Sequence, residues 1–239
     1  MTPRVITSRY LQTSATVLGG GALLVDSPYF PDELDALAAA AAPGARLFAT
    51  HSHYDHLMGR LALPDAPLLA GASTLAAVRR EPERPARELA EEDARTYVRR
   101  ARPLHVADIA FAEGLELIDA PGHTGDGSAL VWPEDGGVLC CGDYLSDVEI
   151  PLLSWAGSLP DYHATLDRLE AVLPRVGLVV PGHGTPTGAG GARRRLAQDR
   201  AYLETIPAGD PDRPLPPGRD TPRQREIHRA NLERHGGAG

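Results

Sequence analysis

The sequence predicts an α/β chain of the mixed, α+β kind, on two observations. Short apolar runs closed by turn residues recur along its length, as strands do. Between them lie longer stretches with apolar residues at helical spacing. With 239 residues, 42% of them apolar and 23% charged, the chain has the composition of a globular protein able to bury a core. The pattern does not set the order of the strands.

The elements follow in sequence. Residues 15–17 and 22–25 flank Gly19-Gly20-Gly21 and predict a hairpin. Residues 31–44, PDELDALAAAAAPG, predict a helix, with proline at the start, acids in the first turn and Pro-Gly at the end. Strands are expected at 46–49 and 68–70. The charged stretch 81–102 reads as a helix, with Glu83/Arg87 and Glu91/Arg95 at the favourable i, i+4 spacing on a solvated face. Strand-like runs follow at 105–111, 115–119, 129–132 and 138–141. Next come a helix over 161–173 and a short strand at 178–180. Five prolines between 207 and 217 predict irregular chain before a last charged helix at 221–234. The expected division is a body over 1–206 and a Pro-rich linker with a C-terminal helix over 207–239.

Charge and cysteines narrow the function. A net charge of −8 and a pI near 5.6 argue against nucleic acid or an anionic membrane as partner and leave a small molecule as the expected one. The N-terminus has no apolar segment after a basic start, and no stretch has membrane-spanning length, so a cytoplasmic protein is expected. Cys140 and Cys141, adjacent and so badly placed to bridge each other, read as buried, reduced strand residues. A CC pair is not a zinc signature.

Chemistry concentrates in ATHSHYDHLMG, residues 49–59. In extended chain, alternate side chains face one way, so His51, His53 and Asp55 converge, and His56 follows at a bend into helix. Three later stretches carry the same residue types after an apolar strand and beside glycine: APGHTGDGS with His123, CCGDYLSD with Asp143, and VVPGHGTP with His183. Five histidines and two aspartates are enough for two metal ions. Imidazole and carboxylate suit Zn²⁺, with iron or manganese as alternatives. His105, His163, His228 and His235 lack such a setting and read as ordinary.

THSHYDH followed in order by GHT, GD and PGHG resembles the metallo-β-lactamase superfamily over residues 15–190. The resemblance implies a four-layer αββα sandwich. It also implies that His51, His53 and His123 hold one ion, that Asp55, His56 and His183 hold the other, and that Asp143 bridges the two. A metal-bridging hydroxide would then attack a carbonyl or phosphoryl centre, with Asp55 orienting the water or accepting its proton.

Asp143 weighs against a true β-lactamase, and His53 against flavodiiron-type oxidoreductases. What remains resembles glyoxalase II and its relatives and implies hydrolysis of a small thioester or ester. The alternatives are a lactonase, a mononuclear iron persulfide dioxygenase-like oxidoreductase, and a non-catalytic small-molecule sensor. Tyr144 is a candidate oxyanion donor, and Asp126 a candidate acceptor for a ligand histidine's free N–H. Substrate choice is expected from residues 81–102 and 145–160. Within the latter, Ile150, Leu152, Leu153 and Trp155 read as core or pocket. The C-terminal helix reads as a surface helix, although it is reminiscent of the substrate-covering tails of glyoxalase II-like proteins.

Overall fold

The computed structural model describes residues 2–154 and 156–236. Two sheets lie at its centre. The first runs β1 (Arg4–Thr7), β2 (Ser14–Leu18), β3 (Leu23–Val25), β4 (Arg46–Ala49), β5 (Leu68–Ala70) and β6 (Ala110–Phe111), in that spatial order. Its first three strands are antiparallel, and β3 to β6 pair in parallel. The second sheet has the order β10 (Leu178–Val180), β9 (Val138–Cys140), β8 (Ser128–Trp132) and β7 (Glu116–Asp119), parallel only between β10 and β9.

Period-2 alternation divides the apolar side chains of these strands into layers. Phe48, Leu69, Leu130, Val138, Cys140 and Val180 point between the sheets and form one cluster. Their neighbours Leu47, Ala49, Leu68 and Ala70 face outward, against α1 (Pro31–Ala39), α4 (Ala72–Arg80) and α5 (Arg84–Thr96). On the other side Ala129, Val131, Leu139 and Val179 face α6 (Leu159–Val172) and α7 (Ala189–Leu203). The result is the expected αββα sandwich, one apolar layer between the sheets and one outside each. Cys140 and Cys141 are buried and free. Among the described residues no helix is long and apolar enough to cross a membrane.

The sequence pattern misjudges several elements. Helix α1 ends well before Gly44 because the Ala42 N–H turns away to donate to Gly21 O at 3.0 Å, and Pro43 disfavours helical backbone at Ala42. In the charged stretch only α5 is helical. It stops where Tyr97 enters the left-handed region at φ 57°. Only the last two residues of the run 105–111 join a sheet, and Leu104, Val106 and Ile109 bury their side chains from irregular chain. The sequence pattern also misses β1, α4 and α7.

Past the proline-rich stretch, α8 (Pro222–His235) packs onto the chain at Ile150 and Leu153. Gln224 Oε1 accepts from Ile150 N at 2.8 Å, Asn231 Oδ1 accepts from Leu153 N at 2.9 Å, and His228 Nδ1 lies 3.0 Å from the Tyr202 hydroxyl. Ile150 and Leu153 are core. Trp155 lies outside the described residues.

Candidate metal centre

Four strands of the two sheets, β4, β7, β9 and β10, end at one rim. The loops that follow them bring together all seven residues singled out in the sequence. After β4 the chain runs through His51 and His53 into the single-turn helix α2 (Tyr54–Leu57), which carries Asp55 and His56. The loop after β7 supplies His123, the turn after β9 Asp143, and the turn after β10 His183. Glycine is needed at two of these bends. Gly142 sits at φ 58°, and a Cβ on Gly182 would come within 2.5 Å of Asp143 Oδ1 and 2.8 Å of His56 Cε1.

The donors fall into two sets. His51 Nε2 and His123 Nε2 lie 3.0 and 3.2 Å from His53 Nδ1, so three imidazole nitrogens meet at one point. Asp143 Oδ2 faces the same point, 3.1 Å from His123 Nε2 and 3.7 Å from His51 Nε2. The other oxygen, Oδ1, lies 3.0 Å from His56 Nε2 and 3.4 Å from His183 Nε2. Asp55 closes the second set, with Oδ2 3.4 Å from His183 Nε2. Ligand atoms of His51, His53, His123 and Asp143 all lie within 4.8 Å of one another, as do those of Asp55, His56 and His183.

The rear of three of the rings, His56, His123 and His183, is held as ligand histidines require. His123 Nδ1 donates to Leu152 O at 2.9 Å, and His183 Nδ1 to Leu11 O at 2.9 Å, which leaves Nε2 of both free to act as a donor atom. His56 Nδ1 is 3.0 Å from Asp26 Oδ2, and Asp26 also accepts from Thr50 N and Thr50 Oγ1 at 2.8 and 2.9 Å. His56 Nε2 then faces Asp143 Oδ1, with no hydrogen bond made by either buried atom. Two buried ligand-type atoms held this close, with no hydrogen-bond geometry between them, are placed as ligands of one cation. On this observation the donor set fits metal ions.

The charges agree. Burial works against charge on His183, but Glu149, Asp143 and Asp55 outweigh it and raise its pKa to about 10. Burial likewise opposes charge on His56, which Asp143 and Asp26 nonetheless lift well above the ordinary value. His53, with burial and His123 acting in the same direction, falls to about 4. Burial alone would raise Asp143, yet His183, His56 and His123 hold it well below the usual carboxylate range. The centre is a buried negative well that draws in positive charge, whether protons on two histidines or cations between the side chains.

Two neighbours have other duties than the sequence suggested. The Asp126 carboxylate accepts from Ser52 N and Ser52 Oγ at 2.9 and 3.0 Å, fixing the link between His51 and His53 rather than a histidine N–H. The Tyr144 hydroxyl accepts from His123 N at 3.0 Å and can donate to Pro121 O at 2.8 Å, which ties it to the His123 loop and not to an oxyanion. Sequence reasoning missed Asp26 and Glu149. Asp26 stands at the end of an apolar strand, as the ligands do, and that position was its one signal.

A cavity of about 280 Å³ opens over Asp55, Asp143 and His183. It is bounded by Leu11 and Leu152, by Glu88 of α5 and by Ile227 of α8.

A donor cluster of this composition on the rim of an αββα sandwich defines a class, the metal-binding proteins built on paired sheets. The chain belongs to the metallo-beta-lactamase superfamily, whose profile matches residues 9–183 and whose members are typically metal-dependent hydrolases. No curated protein matches it. Similar solved structures include the protein TTHA1623 in a di-iron-bound form, with 24% identity over 80% of this chain and 98% of that one, at a TM-score of 0.61. A stereoselective inverting sec-alkylsulfatase, Pisa1 from Pseudomonas sp., is 14% identical over 95% of this chain and 48% of its own, at 0.64. A metallo-beta-lactamase from Pontibacter korlensis is 17% identical over 77% and 86%, at 0.54.

Proposed function

We propose that the chain is a dinuclear metal-dependent hydrolase of a small thioester or ester. The observation that carries this reading is the division of Asp143 between two donor sets. One oxygen faces the His51–His53–His123 nitrogens, and the other faces His56 and His183. A carboxylate shared in this way offsets the repulsion between two neighbouring dications. His51, His53 and His123 would hold one ion, Asp55, His56 and His183 the other, with Asp143 common to both.

Zinc is proposed on donor chemistry, since five imidazoles and two carboxylates suit it. Iron is the alternative, and TTHA1623 was solved with two irons. Bound ions would supply an acidified water and a positive field for a developing oxyanion.

Asp55 borders the cavity and orients the attacking water, taking up its proton as the oxygen adds to the carbonyl carbon. The C–S or C–O bond then breaks, and the proton held on Asp55 passes to the departing thiolate or alkoxide. Leu11, Leu152 and Ile227 give the substrate an apolar wall. The size of the cavity, about 280 Å³, supports a small substrate. The charge of −8 supports a partner other than nucleic acid. Two free, buried thiols support a reducing, cytoplasmic setting. A lactone, opened by the same attack with a tethered alkoxide, is the second substrate class.

The test pairs elemental analysis with a screen of thioesters, lactones, phosphodiesters and β-lactams. Two equivalents of metal and turnover of thioesters or esters are expected. A single iron with oxygen consumption would overturn the hydrolase reading in favour of an oxidoreductase, and turnover of lactones alone would move the substrate to the second class.

A further inference from the structure

Glu149 lies in the loop that follows Asp143, and ligand-type atoms of Asp143, Glu149 and His183 all lie within 4.8 Å of one another. Its side chain borders the same cavity as Asp55 and His183. Among the described residues its carboxylate makes no hydrogen bond and no ion pair within 4.0 Å, although Asp143 Oδ1 beside it is buried and equally without a hydrogen-bond partner. Two acidic side chains left this way next to each other repel unless a cation lies between or beside them.

The backbone around Glu149 is held with unusual care for a loop. Ser146 Oγ accepts from Val148 N and Glu149 N at 3.1 and 3.0 Å. The carbonyl of Glu149 accepts from the buried Arg219 at 3.1 Å, and the next N–H, that of Ile150, donates to the buried Gln224 at 2.8 Å. Two residues of the C-terminal segment therefore clamp the chain on either side of a carboxylate that makes no hydrogen bond, with His183 and Arg223 its nearest opposing charges.

We propose that Glu149 is an eighth metal-directed residue, an oxygen donor to the ion on the Asp55–His56–His183 side. This rests on the dinuclear reading and deepens it, because the two halves of the centre then differ in kind. One has three imidazoles and a share of Asp143. The other has two imidazoles, Asp55, Glu149 and the other share of Asp143. Imidazole-rich donors favour zinc, and carboxylate-rich donors favour harder ions such as Mn²⁺. The Glu149 half takes Mn²⁺ in preference to the other.

The test uses the full chain stripped of metal, loaded with one equivalent of zinc and titrated with Mn²⁺, with free Mn²⁺ followed by electron paramagnetic resonance. Wild type binds one Mn²⁺. Glu149→Gln, which keeps the size and removes the charge, binds it at least about tenfold more weakly, in the range found for outer partners of metal sites. Its zinc affinity and circular dichroism stay as in wild type, and Glu149→Asp recovers part of the loss. Equal Mn²⁺ affinity in wild type and Glu149→Gln overturns the role of Glu149. A wild-type chain that binds neither zinc nor Mn²⁺ overturns the metal centre itself, and the assignment of Glu149 with it.

Discussion

Asp26 stands 3.0 Å behind His56, its Oδ2 against Nδ1, and this contact turns the ring's other nitrogen toward Asp143 Oδ1 at the same distance. Asp26 also fixes Thr50, the residue through which β4 enters the histidine loop. Without the carboxylate, His56 would lose both its orientation and its preferred tautomer. Asp26→Ala is therefore expected to weaken binding of the second ion by about 10- to 100-fold while sparing the first. Competition with a coloured chelator checks this, and equal loss of both ions would contradict the assignment.

Asp143→Ala removes a donor from both sets at once. The expected outcome is one retained equivalent of metal and a fall in hydrolysis beyond the roughly hundredfold effect of losing an outer partner. The fold is expected to survive, as read by circular dichroism. Full turnover in this variant would end the case for a shared carboxylate.

Removing metal should lower thermal stability, because ions that bind only the folded chain stabilise it by mass action. At a free concentration one hundred times the dissociation constant the gain is about 2.7 kcal/mol per site. Melting temperatures measured across a series of zinc concentrations are expected to rise with the metal. A flat series would mean that the cluster holds no zinc.

Away from the site, Arg219 and Asp199 form an ion pair with both side chains almost wholly buried. Arg219→Met should destabilise the chain by about 3–5 kcal/mol, since it leaves Asp199 buried without its main partner and makes it take up a proton to stay in the interior. Denaturant melts at pH 7 test this. A loss under about 1 kcal/mol, the range of exposed pairs, would show that the pair is not desolvated.

The same aspartate gives a pH dependence. Burial pushes Asp199 up to about 6 from its ordinary 3.8, although Arg219 pulls the other way. The folded chain therefore holds this proton more tightly than the unfolded chain does. Stability from this group falls as pH rises between about 4 and 6, by at most about 1.4 kcal/mol per pH unit, and is level above that window. Asp199→Asn should lack this slope, so the difference between its stability curve and that of wild type checks the sign.

The centre was legible because its residues lie at strand ends. His51, His53, Asp55 and His56 declare themselves by spacing alone, while His123, Asp143 and His183 gain meaning only from appearing after strands in the same order. The sandwich was legible for a related reason, since Phe48 and Leu69 alternate with outward-facing neighbours. Asp26 and Glu149 escaped because single acids in loops are common and their partners are distant in the chain. Thr50 lies beyond a whole helix from Asp26, and Arg219 and Gln224 lie at the far end of the sequence. The strand expected before β6 did not form because tertiary packing decides how short apolar runs fold.

His51, His53, Asp55 and His56 follow a strand of one sheet, whereas His123, Asp143 and His183 follow strands of the other. Any ion seated among them rivets the two leaves of the sandwich together at their rim. Sliding of one leaf over the other would pull both donor sets apart in a single movement, so cation loss and mechanical loosening of this seam would be one event.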